Sequence, residues 1–225
     1  SSIGPFYAHA LACYTGRLHR LWRVFLQEDP SLPLVKSTNQ ALSVYESSRH
    51  TEAAMAYPYR ISLELTTACN LRCRMCTQSL DPNGKRYYLD PRLLDQVEPM
   101  LRAATNVALT GWGETLVHPE FRPIFLRVKA QGPAISMVTN GLNLTREMGE
   151  FLVDNGLSEL TVSLDAAQPE TYRYIRGVNR LEEIKENIRY LAELRRVRRV
   201  ASPRLTLNFA MMRRNISELP DFVRM

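Results

Sequence analysis

The sequence predicts an α/β fold, a parallel sheet covered by helices, and three observations carry that expectation. From residue 59 onward, short apolar runs alternate with longer segments of helical period. The links between them are short and punctuated by Gly, Pro and Asn. Distinctive polar residues collect just after the strand runs, where parallel α/β folds bind their ligands. Right-handed crossovers narrow the topology to a doubly wound sheet or a barrel. The pattern alone does not choose between those two.

Residues 1–58 lack this rhythm and read as a helical N-terminal extension, with residues 59–225 as the core. Leu18, Leu21, Trp22 and Phe25 interleave with Arg17, Arg20 and Arg23 in an amphipathic helical pattern that stops near Asp29-Pro30. A second helix is expected over about 37–48. Within the core, Tyr59–Thr66 alternates as a first strand, and Asp81–Gly84 is a turn. Asp90-Pro91 opens a helix to about Ala104, with an acidic cap and Pro at its first position. Asn106–Thr110 is the second strand and Pro119–Gln131 the second core helix, stopped by Gly132-Pro133. Ala134–Thr139 is the third strand, and Thr145 caps a helix to Asn155. Glu159–Leu164, a short helix at 169–175 and a long one at 181–197 follow. Arg204–Ala210 is the fifth strand, and a last helix opens near Ser217.

Composition bounds the function. With 225 residues, 45% apolar and 23% charged, the chain suits one sizeable globular domain. No apolar run is long enough for a membrane span. The net charge of +6 draws on Arg189, Arg195, Arg196, Arg198, Arg199 and Arg204, a pattern of a solvated helix face. An anionic partner is the other reading, and nucleic acid is not expected. The opening residues lack an initiator Met and the shape of a signal peptide, so a cytoplasmic fragment is expected.

The chain is organised around Cys69-Asn-Leu-Arg-Cys73-Arg-Met-Cys76, which holds three of its 4 cysteines at C-x₃-C-x₂-C spacing. Three thiolates on one loop after a strand suggest a metal site. A structural zinc wants four protein ligands, and a cubane iron–sulfur cluster normally takes four cysteines. Three leave one iron open to a substrate or cofactor. Cys13 lies far upstream and reads as a small buried apolar residue. Zinc completed by a distant His such as His118 stays open as the alternative.

C-x₃-C-x₂-C after a first strand resembles the radical S-adenosylmethionine (SAM) superfamily. The resemblance implies a partial TIM-like (β/α)₆ barrel with five βα units visible, the sixth strand lying beyond Met225. It also implies a 4Fe–4S cluster on Cys69, Cys73 and Cys76, whose open iron chelates SAM. Gly111-Trp-Gly113-Glu114 is similar to the family's GGE motif, although Trp112 splits the glycines and Thr115 replaces the commoner Pro. Thr139-Asn140-Gly141 recurs in the family near the cofactor, and a structural turn explains it equally in isolation. Ser163-Leu-Asp165 places two polar residues on one strand face, where a ribose would partner a buried carboxylate. The resemblance implies that Arg176 grips the SAM carboxylate, and Met75 stands where an adenine neighbour is usual. Asn208 is a weaker candidate.

The order of motifs also resembles the subgroup that continues into SPASM or twitch domains. The implied function is reductive cleavage of SAM to a 5′-deoxyadenosyl radical for hydrogen abstraction, in peptide modification or in cofactor or natural-product biosynthesis. An external flavodoxin- or ferredoxin-type electron donor and a small-molecule or peptide substrate are the implied partners. A non-catalytic iron–sulfur or zinc module is the competing reading. Radical SAM RNA methylation would need further reactive cysteines, and only Cys13 remains.

Overall fold

The computed structural model describes residues 34–49, 54–81 and 83–225. The amphipathic pattern at 17–25 and Cys13 lie outside them. The elements run α1 (Leu34–Arg49), β1 (Arg60–Ser62), α2 (Leu94–Ala103), β2 (Asn106–Leu109), α3 (Phe121–Ala130), β3 (Ala134–Thr139) and α4 (Arg146–Asp154). They continue with β4 (Glu159–Ser163), α5 (Pro169–Arg176), α6 (Leu181–Val197), β5 (Arg204–Asn208) and α7 (Leu219–Arg224). The five strands form one sheet in sequential order, every neighbouring pair parallel.

Sequential order decides between the two topologies that the sequence left open. A doubly wound sheet reverses its strand order at a switch point, whereas right-handed crossovers in unbroken order put every helix on the same face. The packing agrees. Val107, Leu109, Ile135, Leu160 and Val162 are sealed against Leu101, Ile124, Phe125, Leu152, Ile184 and Leu191 of the helices. Their alternates, Ala108, Ser136, Thr161 and Ser163, are small or polar and only partly buried. The result is a partial barrel with an apolar outer wall and a small-residue inner face.

Most expected boundaries hold to within a few residues. Thr145 caps α4, its hydroxyl accepting from Met148 N at 3.2 Å. The helix expected from residue 90 opens as a 3₁₀ turn, Pro91–Leu93, under the Asp90 cap and becomes α-helical only at Leu94. The first strand is shorter than expected. After Leu63, whose N still donates to Ala108 O, the chain leaves the sheet to pair with the 87–89 segment, through Thr67 N to Tyr87 O (3.0 Å) and Leu89 N to Leu65 O (2.8 Å). That departure lifts the cysteine loop over the strand ends. At the opposite end of the sheet, α1 packs through polar side chains. Asn39 Nδ2 donates to Tyr57 O and Ala103 O, and Lys36 Nζ donates to Ala104 O at 2.6 Å.

Candidate cofactor site at the strand ends

The cysteine loop is fastened on two sides. Glu114 N donates to Ala68 O (2.8 Å), joining the loop's start to the turn after β2. Arg74 N donates to Ile175 O and Arg74 Nε to Tyr174 O, both at 2.9 Å, joining its middle to α5. Internal bonds tighten it: Cys76 N to Cys73 O (3.0 Å) and Ser79 Oγ to Cys73 O (2.7 Å). Cys69, Cys73 and Cys76 are all free thiols. They line one open cavity of about 220 Å³ with Met75, Gly111, Gly113, Glu114, Asn140, Ser163 and Arg176. Ten of the eleven residues expected at the site therefore share one cavity; Asp165 does not line it.

Gly113 explains how the loop comes so close. A Cβ there would overlap the carbonyl oxygens of Thr66 and Ala68, which are fixed backbone. At Gly111 the atoms nearest to a Cβ all belong to the Glu64 side chain, whose carboxylate accepts from Trp112 N. The Thr115 hydroxyl bonds Leu109 O at 3.2 Å and starts a 3₁₀ turn, so the loop closes without proline. Gly141 takes φ 85°, where a side chain would strain the backbone and crowd Ile184. Here the turn and the site are the same feature: Asn140 Nδ2 reaches Asn70 Oδ1 at 2.7 Å and lies 3.9 Å from Cys69 Sγ.

Glu114 is only 3% exposed and is spent on the protein itself. Its carboxylate accepts from Asn140 N (2.6 Å), Thr139 Oγ1 (2.8 Å) and Leu116 N (3.2 Å), tying the ends of β2 and β3 together. Burial pushes its pKa up, and these donors work against that rise.

Two of the expected site residues, Asp165 and Arg176, pair with each other. Asp165 was expected on the inner face beside Ser163, with no cation near it. The strand ends at Ser163, and Asp165 takes φ 62°, which breaks the alternation and leaves its side chain buried outside the cavity lining. There it meets Arg176 Nη2 at 2.5 Å and accepts from Ala210 N at 2.7 Å. Arg176 also reaches the cysteine loop. Its Nη1 donates to Cys73 Sγ at 3.5 Å, and the residue is 7% exposed. Burial opposes its charge, but Asp165 and Cys73 outweigh that effect and hold its pKa above the usual value. Burial also raises the thiols of Cys69 and Cys73, with Arg176 opposing the rise at Cys73. Asn208, expected as a core or cofactor residue, ends β5 with its side chain exposed.

His118 is removed as a fourth ligand. Its Nε2 is 3.1 Å from Leu89 O and its Nδ1 accepts from Glu120 N at 3.0 Å, so backbone groups occupy both ring nitrogens. Among the described residues no three His, Cys, Asp or Glu side chains are arranged around a single ion. A cubane cluster carries its irons at separate corners, so thiols that ring a cavity fit it better than they fit one tetrahedral ion. Two buried polar atoms near Cys73 also lack partners, Arg176 Nε and Tyr172 Oη. A sulfide-bearing group in the cavity that Arg176 lines would offer its Nε an acceptor. Sequence reasoning missed Tyr172 and Glu64 as site residues; a lone acidic residue near the end of an alternating strand was the available signal for Glu64.

A parallel half-barrel with three thiols at its mouth defines a class, and comparison with known proteins identifies it. Residues 63–225 match the family model described as the radical SAM superfamily, and the chain belongs to that superfamily. It is 32% identical over 179 residues to the tungsten-containing aldehyde ferredoxin oxidoreductase cofactor-modifying protein of Pyrococcus furiosus, covering 76% of this chain and 48% of that one. It is 33% identical over 179 residues to a GTP 3′,8-cyclase of Stenotrophomonas maltophilia, covering 75% and 51%. The chain thus spans about half the length of these curated relatives. In fold it is similar to Streptococcus suis SuiB bound to S-adenosylmethionine, with TM-score 0.62, 14% identity, and 92% of this chain and 47% of that one covered. Family membership implies a 4Fe–4S cluster and SAM. Among the described residues no helix is long and apolar enough to cross a membrane.

Proposed function

We propose that Cys69, Cys73 and Cys76 hold a 4Fe–4S cluster and that the adjoining cavity holds SAM. When bound, the pair supplies reductive SAM cleavage and a 5′-deoxyadenosyl radical that takes a hydrogen atom from substrate. The observation that carries this reading is the convergence of all three thiols and the ends of β2, β3 and β4 on one cavity. The chain's own residues bind and orient. Asn140 braces Cys69, and Glu114 fixes the β2–β3 wall. The Gly111–Gly113 turn offers close backbone to a ligand, and Met75 and Trp112 line the cavity with apolar surface. Ser163, pointing from the inner face, serves as a hydroxyl partner for the cofactor. Asp165 contributes indirectly, by holding Arg176. An external flavodoxin- or ferredoxin-type protein supplies the electron.

The substrate belongs to peptide modification or to cofactor and natural-product biosynthesis. Relatives named for modifying a tungsten enzyme's cofactor and for cyclising GTP support the cofactor side. Anaerobic reconstitution tests the reading. About four iron and four sulfide per chain are expected, with SAM perturbing the EPR signal of the reduced cluster and 5′-deoxyadenosine appearing on reduction. One tightly bound zinc and no 5′-deoxyadenosine would overturn it.

A further inference from the structure

Resting on that reading, we propose that Arg176, locked in place by Asp165 and assisted by Tyr172, sets the electron affinity of the cluster by donating to its Cys73 corner. This is a positioning and tuning role, additional to the grip on the SAM carboxylate that the family resemblance implies for Arg176.

The geometry fixes two of the three guanidinium nitrogens. Arg176 Nη1 is 3.5 Å from Cys73 Sγ, and Nη2 is 2.5 Å from Asp165 Oδ2. Asp165 is itself immobilised: Oδ1 accepts from Ala210 N (2.7 Å), and its carbonyl accepts from Asn215 Nδ2 (2.8 Å). Asn215 is 0% exposed, so the strut continues into the core. The third guanidinium donor, Nε, is buried with no partner. The Tyr172 hydroxyl, on a residue 0% exposed and one turn before Arg176 on α5, is likewise unpartnered. Only three buried side-chain atoms among the described residues lack partners, and two of them lie here. Buried donors without acceptors are destabilising. One turn apart on α5, the helix whose Arg176 reaches Cys73, they are explained by acceptors that arrive with a bound group.

The sign follows from charge. On reduction the protein donor loses one electron and the cluster gains it; no atom or proton moves in that step. The added negative charge spreads over the sulfurs. A fixed guanidinium and a hydroxyl donating to those sulfurs stabilise the reduced form more than the oxidised form, and so raise the reduction potential.

The test is EPR-monitored redox titration of the reconstituted protein, wild type against Tyr172→Phe, Arg176→Lys and Arg176→Met. Tyr172→Phe is the informative variant because it removes one unpartnered atom and preserves packing. Without the cluster its unfolding stability should equal or exceed wild type; with the cluster its potential should fall. Arg176→Met should lower the reduction equilibrium constant at least tenfold, a shift of 59 mV for one electron, with Arg176→Lys in between. If Arg176→Met does not fold, the other two variants decide. Full iron content with the same potential in the folded variants would overturn the inference and leave the proposed function intact. A wild-type protein that assembles no cluster would overturn both.

Discussion

Arg176 and Asp165 form a buried ion pair at 2.5 Å, their side chains 8% and 2% exposed, across the joint between the end of β4 and the end of α5. Pairs of this kind are vulnerable to loss of one member rather than of both, because the survivor is a charge left without water. Asp165→Asn keeps the acceptor for Ala210 N, and Asn tolerates the φ of 62°. It nonetheless strands the guanidinium. The expected cost is about 3–5 kcal/mol, or a fall in Tm of roughly 6–20 °C for a domain of this size. The double variant Asp165→Asn/Arg176→Met should recover much of that loss. A double variant no more stable than Asp165→Asn in thermal unfolding would show that the charge pair is not what matters.

The two glycines of the Gly-Trp-Gly turn should respond unequally. Gly113→Ala drives a methyl into the Thr66 and Ala68 carbonyls, which belong to the backbone that launches the cysteine loop. Gly111→Ala has the Glu64 side chain as its nearest neighbour, which can swing aside at the expense of its bond to Trp112 N. Gly113→Ala should therefore cost at least about 2 kcal/mol of stability, in the range of overpacked sites, and lose most iron on reconstitution. Gly111→Ala should cost less than about 1.5 kcal/mol, the order of one hydrogen bond, and keep its iron. Denaturant unfolding and an iron assay on both variants check the order.

Much of this arrangement was legible before any coordinates, and the failures share a cause. The strands, the caps at Asp90 and Thr145, and the cysteine spacing are local signals, written within a few residues of where they act. The sequential sheet order was not legible, because helix and strand periods do not say which strand pairs with which. Asp165 was misplaced because period-two reasoning was carried past Ser163, where the chain turns left-handed. Its partner was missed because Arg176 lies on the next helix, and a salt bridge between separate elements leaves no periodic trace. Glu114 illustrates the same limit. The motif marked it as important, but only the fold shows the carboxylate spent on Thr139 and Asn140.

The three thiols should be individually indispensable, and Cys13 should not be. A cubane held by three cysteines has no spare protein ligand, so Ser at Cys69, Cys73 or Cys76 should drop iron from about four per chain to near zero after anaerobic reconstitution. Cys13→Ser should bind iron as wild type does. Iron retained after Cys73→Ser, or lost after Cys13→Ser, would reassign the ligand set.

Lys36 supplies a pH signature far from the site. Its side chain is enclosed where α1 meets the chain after α2, with Nζ donating to Ala104 O at 2.6 Å and the residue 4% exposed. Burial pulls its pKa from the usual 10.5 down to about 8. Between about pH 8 and 10.5, the unfolded chain therefore holds a proton that the folded chain has released. More protons bound in the unfolded state means that stability rises with pH across that window. Lys36→Met keeps an apolar stem of similar length and removes the titration. The stability of wild type relative to Lys36→Met should climb from about pH 8 upward, by at most ~1.4 kcal/mol per pH unit. Urea unfolding of both proteins at a series of pH values measures it. A difference that stays flat across the window would mean that the ammonium is solvated at this junction and that α1 does not seal it.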